Sequence, residues 1–358
     1  MKRLLVILLI LTLCACTAVP GPAGPSVSAS TPAPAATPTP DPVDVYGDTI
    51  SVVESTPAPS PTPEPTDTPV PTDTPEPTPT PDPRFTMVWA SDTQLLVAYE
   101  DLLPGYISMC DWIVREADEQ RFRLFLHTGD MVDNGAKRGQ WERFCQYLRP
   151  VADKMPLFMT AGNHDWYFNQ KTYWKDQFFV TEFPQKQTFD GGNAAYMIFT
   201  VGETSLLLLS VCYIREHRDP ELTWLREICD AHPDLPAILV THGYLTAEGE
   251  LVTIAQKLER EVVAQCPNIR LVLCGHARGI ARRVFTYDDD GDGEAERTVN
   301  VLLYDLQTDR ERYGYLCLLH YDPADNTLTA DSYSPFLDDY IYDDENPETE
   351  RFTLYDVF

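Results

Sequence analysis

Five residues able to bind a metal ion recur along the chain, each just past a short apolar run. They are Asp92 in Ser-Asp-Thr-Gln, Asp130 in His-Thr-Gly-Asp-Met-Val-Asp-Asn, Asn163 in Gly-Asn-His-Asp, His242 in Thr-His-Gly and His276 in Cys-Gly-His-Ala-Arg. Carboxylate, amide and imidazole donors at the ends of five expected strands are what a metal centre acting on phosphate requires. The five are far apart in sequence, so only a fold that returns several strands to one crevice can assemble them.

From residue 84 onward the chain alternates strand and helix. An apolar run over 85–90 ends at Asp92, and 106–119 carries Ile107, Cys110, Ile113, Val114 and Ala117 at helical spacing. A short buried strand at 124–126 leads to Gly129-Asp130, a helix covers about 140–148, and 157–160 runs into Gly162-Asn163-His164-Asp165. Strands at 194–201 and 205–211 make a hairpin about Gly202-Glu203. A helix over 221–230 precedes the strand 237–240 before His242, and a helix over 251–264 precedes the strand 269–273 before Gly275-His276. Beyond this the reading is all strand, at 282–287, 299–306, 314–321 and 327–332, a β-rich half that closes the domain. Parallel strands bearing ligands at their carboxyl ends place those ligands in one crevice.

The two ends of the chain differ sharply in composition. Lys2 and Arg3 precede an apolar stretch over 4–13 that is too short to cross a bilayer as a helix. It ends in Leu13-Cys14-Ala15-Cys16, similar to a bacterial lipobox, where a small residue precedes the lipidated cysteine; Cys16 fits that place and Cys14, after bulky Leu13, does not. Residues 1–16 are therefore expected to be a lipoprotein signal peptide, with an ordinary secretory signal as the alternative. A multiply acylated Cys16 would hold the exported protein to the outer face of the cytoplasmic membrane. Residues 17–83 are rich in Pro and Thr, hold most of the chain's 31 prolines, and have too few apolar side chains to form a core. Such a disordered linker is a semi-rigid spacer, rising ~3.1 Å per residue where extended.

Residues 84–358 form the globular part, roughly 275 residues, ordinary for a two-sheet α/β domain. The net charge of −28 and the lack of a Lys/Arg stripe argue against a nucleic-acid-binding surface. The lipid anchor is the only expected membrane contact, and the oligomeric state is not encoded in these features. Part of the negative charge is the run 338–350, read as a solvated segment. Seven cysteines follow Cys16 without a close-spaced pair. Cys212, Cys274 and Cys317 lie in apolar surroundings and read as small hydrophobes, while export leaves one or two disulfides open.

Taken together, Gly-Asp-x-x-Asp at 129–133, Gly-Asn-His-Asp at 162–165, Thr-His-Gly and Gly-His resemble the calcineurin-like metallophosphoesterase family over essentially all of 85–358. Ser-Asp-Thr-Gln at 91–94, Leu-Leu-Tyr-Asp-Leu-Gln at 302–307 and Ser-Tyr-Ser-Pro at 332–335 look like a bacterial exported branch of it. The resemblance implies a four-layer α/β/β/α sandwich of two mixed sheets and hydrolysis of a phosphate mono- or diester. It makes Asp130 a bridging carboxylate, and makes Asn163, His242 and His276 the rest of a second-metal site suited to Mn²⁺, Fe²⁺ or Zn²⁺. Asp92 belongs to the first-metal site, where the family usually has two further histidines; here those positions are Gln94 and Arg278. Gln94 can ligate through its carbonyl oxygen, whereas a guanidinium has no acceptor. The remaining oxygen-rich set favours Mn²⁺, Mg²⁺ or Ca²⁺.

Three outcomes stay open for Arg278. A weakly held first ion is present regardless of it, or Arg278 supplies charge in its place and grips the substrate phosphate, or it points away. By the same resemblance, His164 stabilises the transition state of in-line attack by a metal-activated hydroxide and protonates the leaving oxygen. Asp133 would orient His164, and Asn134 could donate to a phosphate oxygen. The rival reading is a non-catalytic surface module that keeps one metal and a degraded first site.

Weaker signals accompany these. Asp288, Asp290, Asp292 and Gly293 resemble the start of a calcium loop, but Val299 stands at the closing acidic position and a hairpin turn is the better reading. Asp165 reads as a cap or as support for the ligands, and His127 as structural. Trp166, Tyr167, Phe168, Tyr173 and Trp174 would either wall the cleft or join the core.

Overall fold

The computed structural model describes residues 82–166, 187–216, 218–307, 314–341 and 351–358. The signal peptide at 1–16, nearly all of the linker at 17–83, the aromatic residues Tyr167, Phe168, Tyr173 and Trp174, and most of the acidic run 338–350 lie outside the described residues.

Two sheets carry the fold. In the first, β1 (Phe85–Ala90), β2 (Phe122–His127) and β3 (Leu157–Met159) run parallel and side by side. The second takes β4 (Gln187–Phe189), β5 (Ala194–Val201), β6 (Thr204–Val211), β7 (Ala237–Val240), β8 (Ile269–Cys274), β9 (Gly279–Tyr287) and β10 (Arg297–Asp305). Its order is β4-β5-β6-β7-β8-β10-β9, with β6, β7, β8 and β10 parallel. The expected β-rich half does not exist as a unit. β9 and β10 join the second sheet, whereas β11 (Leu316–Asp322) and β12 (Thr327–Ser334) return to the first, where β11 pairs antiparallel with β1. Sequence pattern identifies a strand but not its partner, and β1 had a free hydrogen-bonding edge that only a distant strand could fill. Two short strands complete that edge, β13 (Asp339–Tyr340) and β14 (Phe352–Tyr355), both on β12.

The central strands are apolar on both faces because both faces are covered. In β6, Leu206 and Leu208 point between the sheets with Met87, Trp89, Leu124, Leu126, Ile238 and Leu271. Leu207 and Leu209 point outward, under α4 (Asp219–Ala231) and the helical stretch around α5 (Gln256–Leu258). On the far side, α1 (Gln94–Ala98), α2 (Leu103–Glu116) and α3 (Arg138–Ala152) cover the first sheet. This is the α/β/β/α sandwich expected.

Two helical expectations need correcting. The helix expected over 251–264 breaks into a 3₁₀ turn at Thr253–Ala255, α5, and a π turn at Glu259–Val263. Buried Arg297 donates to the Val263 and Ala264 carbonyls at 3.1 and 3.2 Å, satisfying acceptors that this irregular end frees. Helix α1, directly after Asp92, was not anticipated, since five residues are too few for a periodic signal. The seven cysteines Cys110, Cys145, Cys212, Cys229, Cys266, Cys274 and Cys317 are all free and buried, so the disulfides left open are not formed. They pack as small hydrophobes in the three cores.

Candidate metal centre

Asp92, Asp130, Asn163, His242 and His276 follow the carboxyl ends of β1, β2, β3, β7 and β8, so both sheets contribute to one site. The turns there are tight. Asp92, Asp130 and His276 adopt left-handed backbone, with φ of 53°, 53° and 75°, a conformation that costs energy for non-glycine residues and clusters at functional sites. Close approach fixes two glycines. A Cβ on Gly162 would lie 2.1 Å from Asp130 Oδ1, and one on Gly275 would lie 2.4 Å from Asp92 Oδ2.

The second-metal set converges on one atom. His242 Nε2 lies 3.2 Å from Asp130 Oδ2, 3.2 Å from Asn163 Oδ1 and 3.2 Å from His276 Nδ1. Donors bound at about 2.1 Å to one ion sit about 3.0–3.4 Å apart, so this spacing fits a divalent metal. His242 Nδ1 donates to the Thr128 carbonyl at 2.8 Å, which leaves the Nε2 lone pair for the ion. The residues present therefore fit the metal, and divalent-metal binding is the property their donor chemistry supports.

Electrostatics reinforce this assignment. Burial alone would lower the His242 pKa, but the Asp130 and Asp92 carboxylates raise it to about 10, holding a cation where the metal would sit. Burial and the His242 charge push His276 down to about 4, which keeps its ring neutral and ready to ligate. For Asp130, burial works upward, yet His242, His164 and the His164 amide bring its carboxyl below the usual range. Asp92 is pushed well up, by burial first and by Asp305 second.

The remaining expected residues fall at different distances from that centre. His164 sits at its rim, with Nδ1 2.8 Å from the Asp133 carbonyl and 3.4 Å from the Asp133 carboxylate, and Nε2 4.0 Å from Asp130 Oδ2. Orientation of His164 thus comes first from the Asp133 backbone and second from its side chain. Asn134 ties its own loop, accepting the Ala136 amide at 3.0 Å on Oδ1. Gln94 is buried and its Oε1 has no hydrogen-bond partner. Arg278 is exposed and forms no ion pair among the described residues.

Supporting residues occupy the layer beneath. Asp165 accepts the amides of Met131, Val132 and Gly162, stitching the Asp130 loop to the Asn163 loop, and burial raises it to about 7. His127 links Thr93 to Gly129 and is held neutral by burial, as a structural histidine should be. Trp166 is buried in the core under the first sheet rather than forming a wall. The Asp288 loop is the expected hairpin turn between β9 and β10. Asp288, Asp290, Asp292 and Glu296 lie within 4.8 Å of one another there, all exposed.

Three residues near the centre were missed. Tyr213 packs its ring 5.0 Å from His276 and 5.5 Å from His242, and no motif marks it. Glu216 is buried and accepts from Thr241, the residue before His242; burial raises it to about 8. Asp305 ends β10 and acts electrostatically on Asp92 and His242. Its signal was present, since Leu-Leu-Tyr-Asp repeats the pattern of an apolar run followed by an acid.

Comparison with known proteins gives a consistent picture. The family model described as Calcineurin-like phosphoesterase matches residues 85–277. The chain is 31% identical over 270 residues to uncharacterised protein YvnB of Bacillus subtilis (strain 168), covering 73% of this chain and 20% of that one. It is 27% identical over 70 residues to the probable inactive purple acid phosphatase 24 of Arabidopsis thaliana, covering 19% of this chain and 11% of that one. The chain thus spans a fifth or less of the length of these relatives. Among solved structures, purple acid phosphatase PPD1 from yellow lupin seeds superposes with a TM-score of 0.54 at 11% identity, over 76% of this chain and 54% of that one; the likeness is one of fold.

Proposed function

The chain belongs to the calcineurin-like phosphoesterase family, and on that premise we propose that it hydrolyses phosphate mono- or diesters outside the cytoplasmic membrane. The observation that carries this reading is His242, whose Nδ1 is locked by Thr128 while its Nε2 meets Asp130, Asn163 and His276 at 3.2 Å each. Asp130, Asn163, His242 and His276 would hold a divalent ion there, which would supply Lewis-acid charge and a water-derived nucleophile at neutral pH. Mn²⁺, Fe²⁺ and Zn²⁺ all suit this donor set.

The chain's own residues divide the remaining work. His164 donates its Nδ1 proton to the Asp133 carbonyl, so a second proton on the ring resides on Nε2. The Asp133 carboxylate lies 3.4 Å from Nδ1, and His164 at the rim would deliver a proton to a leaving oxygen in this reading. Arg278, exposed two residues past His276, would pair in this reading with a substrate phosphate oxygen. Asn134 keeps its side-chain amide group for the same purpose while its oxygen holds the loop.

The test is turnover of p-nitrophenyl phosphate and its bis ester by Mn²⁺-loaded protein. Activity should vanish with chelator, and His164→Ala should lower kcat by about 10²–10⁴-fold with metal content unchanged. Protein that binds Mn²⁺ yet turns over neither ester, with or without His164, would be the binding module instead.

A further inference from the structure

We propose that Asp305 takes the place of the missing histidine in the first-metal site, completing an all-oxygen set with Asp92, Gln94 and Asp130. The inference rests on the metallophosphoesterase reading above and goes beyond its sequence motifs.

Strand register supplies the placement. Val240 pairs with Leu273 and Leu303 pairs with Cys274, so β7, β8 and β10 end side by side in parallel. Two residues past those pairs come His242 in the turn after β7, His276 in the turn after β8 and Asp305 at the end of β10. Three adjacent strand ends therefore each present a ligand-type residue. Asp92 reaches this row from the other sheet, its Oδ2 accepting the His276 amide at 3.0 Å.

The oxygens left over point to a cation. Asp305 is 2% exposed, and its one hydrogen bond among the described residues is Oδ1 accepting the Gln307 amide at 3.2 Å. Asp92 is 1% exposed, and both of its hydrogen bonds fall on Oδ2, leaving Oδ1 without one. Gln94, two residues along and 7% exposed, buries a carbonyl oxygen with no partner at all. One oxygen of each buried carboxylate and the buried Gln94 carbonyl oxygen are left without a donor, which is costly unless a cation satisfies them together.

Arg278 does not fill this role. It is exposed and lies one residue before Gly279, the strand partner of Asp305, so it acts on Asp305 as a nearby positive charge without replacing a ligand. Carboxylate and amide oxygens without imidazole select Mn²⁺, Mg²⁺ or Ca²⁺ over Zn²⁺. The two sites would therefore differ in metal preference as well as in strength.

The experiment is Mn²⁺ titration of the full chain, counting free ion by electron paramagnetic resonance, with wild type, Asp305→Asn and Gln94→Leu compared. Asparagine keeps the Oδ1 acceptor that the Gln307 amide uses, so a turn-forming role alone would survive the change. The expected result is two Mn²⁺ per wild-type chain in a tight and a weak class. Each variant should weaken the weak class by at least about tenfold and leave the tight class in place. Two ions bound to Asp305→Asn with wild-type affinities would overturn the role of Asp305 and leave the phosphoesterase reading standing. A single ion on wild type would overturn the proposed site outright. No bound ion on wild type would instead remove the reading on which it rests. Should Asp305→Asn fail to fold, the Gln94→Leu titration decides by the same criterion.

Discussion

At the scale of single residues, the centre depends on protons being in fixed places. Thr128 sets the His242 tautomer through a 2.8 Å bond to Nδ1, and Asp133 does the same for His164 from its backbone carbonyl. Glu216 belongs to this scale because it is a buried acid one hydrogen bond from the His242 strand end. Its pKa is raised by burial from 4.5 to about 8 in the folded chain. Between those values the folded protein keeps the proton and the unfolded chain has lost it, so stability falls as pH rises across that window. The slope from this group is about 1.4 kcal/mol per pH unit. Urea unfolding of the metal-free protein between pH 5 and 8 should show Glu216→Gln losing stability with pH less steeply than wild type by that amount. Identical slopes would mean that Glu216 is charged in the fold.

At the scale of elements, the strands were the legible part of the sequence and their pairings were not. β6 and β7 lie where the apolar runs put them, because strands buried on both faces leave an unbroken signal. β11 was seen as a strand, but its return to β1 follows from an open hydrogen-bonding edge that no local pattern encodes. The loops behave likewise. Gly162 was read only as part of a motif, while the structure shows its α-carbon pressed against Asp130, where a Cβ would meet Oδ1 at 2.1 Å and the Asp130 amide at 2.5 Å. Gly162→Ala should therefore displace the bridging carboxylate and weaken tight Mn²⁺ binding by about 10–100-fold, with the far-ultraviolet circular dichroism retained. Unchanged affinity by calorimetry would show that the loop relaxes freely.

At the scale of the whole molecule, the site exists because two sheets pack face to face and turn their strand ends to the same side. The inter-sheet core of Trp89, Leu126, Leu208, Ile238 and Leu273 sets that alignment, so Asp92 and Asp130 from one sheet meet His242 and His276 from the other. We propose in addition that this domain is carried by a lipidated Cys16 and a Pro/Thr-rich spacer, which would place the chemistry at the cell envelope. Changing Cys16→Ser should shift the protein from the membrane to the soluble fraction, since stable anchoring needs more than one acyl chain. Retention of Cys16→Ser in washed membranes would defeat the proposal.

By itself the sequence determined the donor types, their order and the strands that carry them. Apolar runs ending in Asp, Asn or His are local, and locality is what a sequence displays. By resemblance to the family it also put Gln94 and Arg278 at the two histidine positions of the expected first-metal site. Only the tertiary structure decided what surrounds them. Asp305 is more than two hundred residues from Asp92 along the chain, and it becomes a neighbour because β10 lies beside β8 and β8 ends against Asp92. Sheet order is a property of long-range pairing, so the gap read in the sequence and the carboxylate beside it appear together only in the fold.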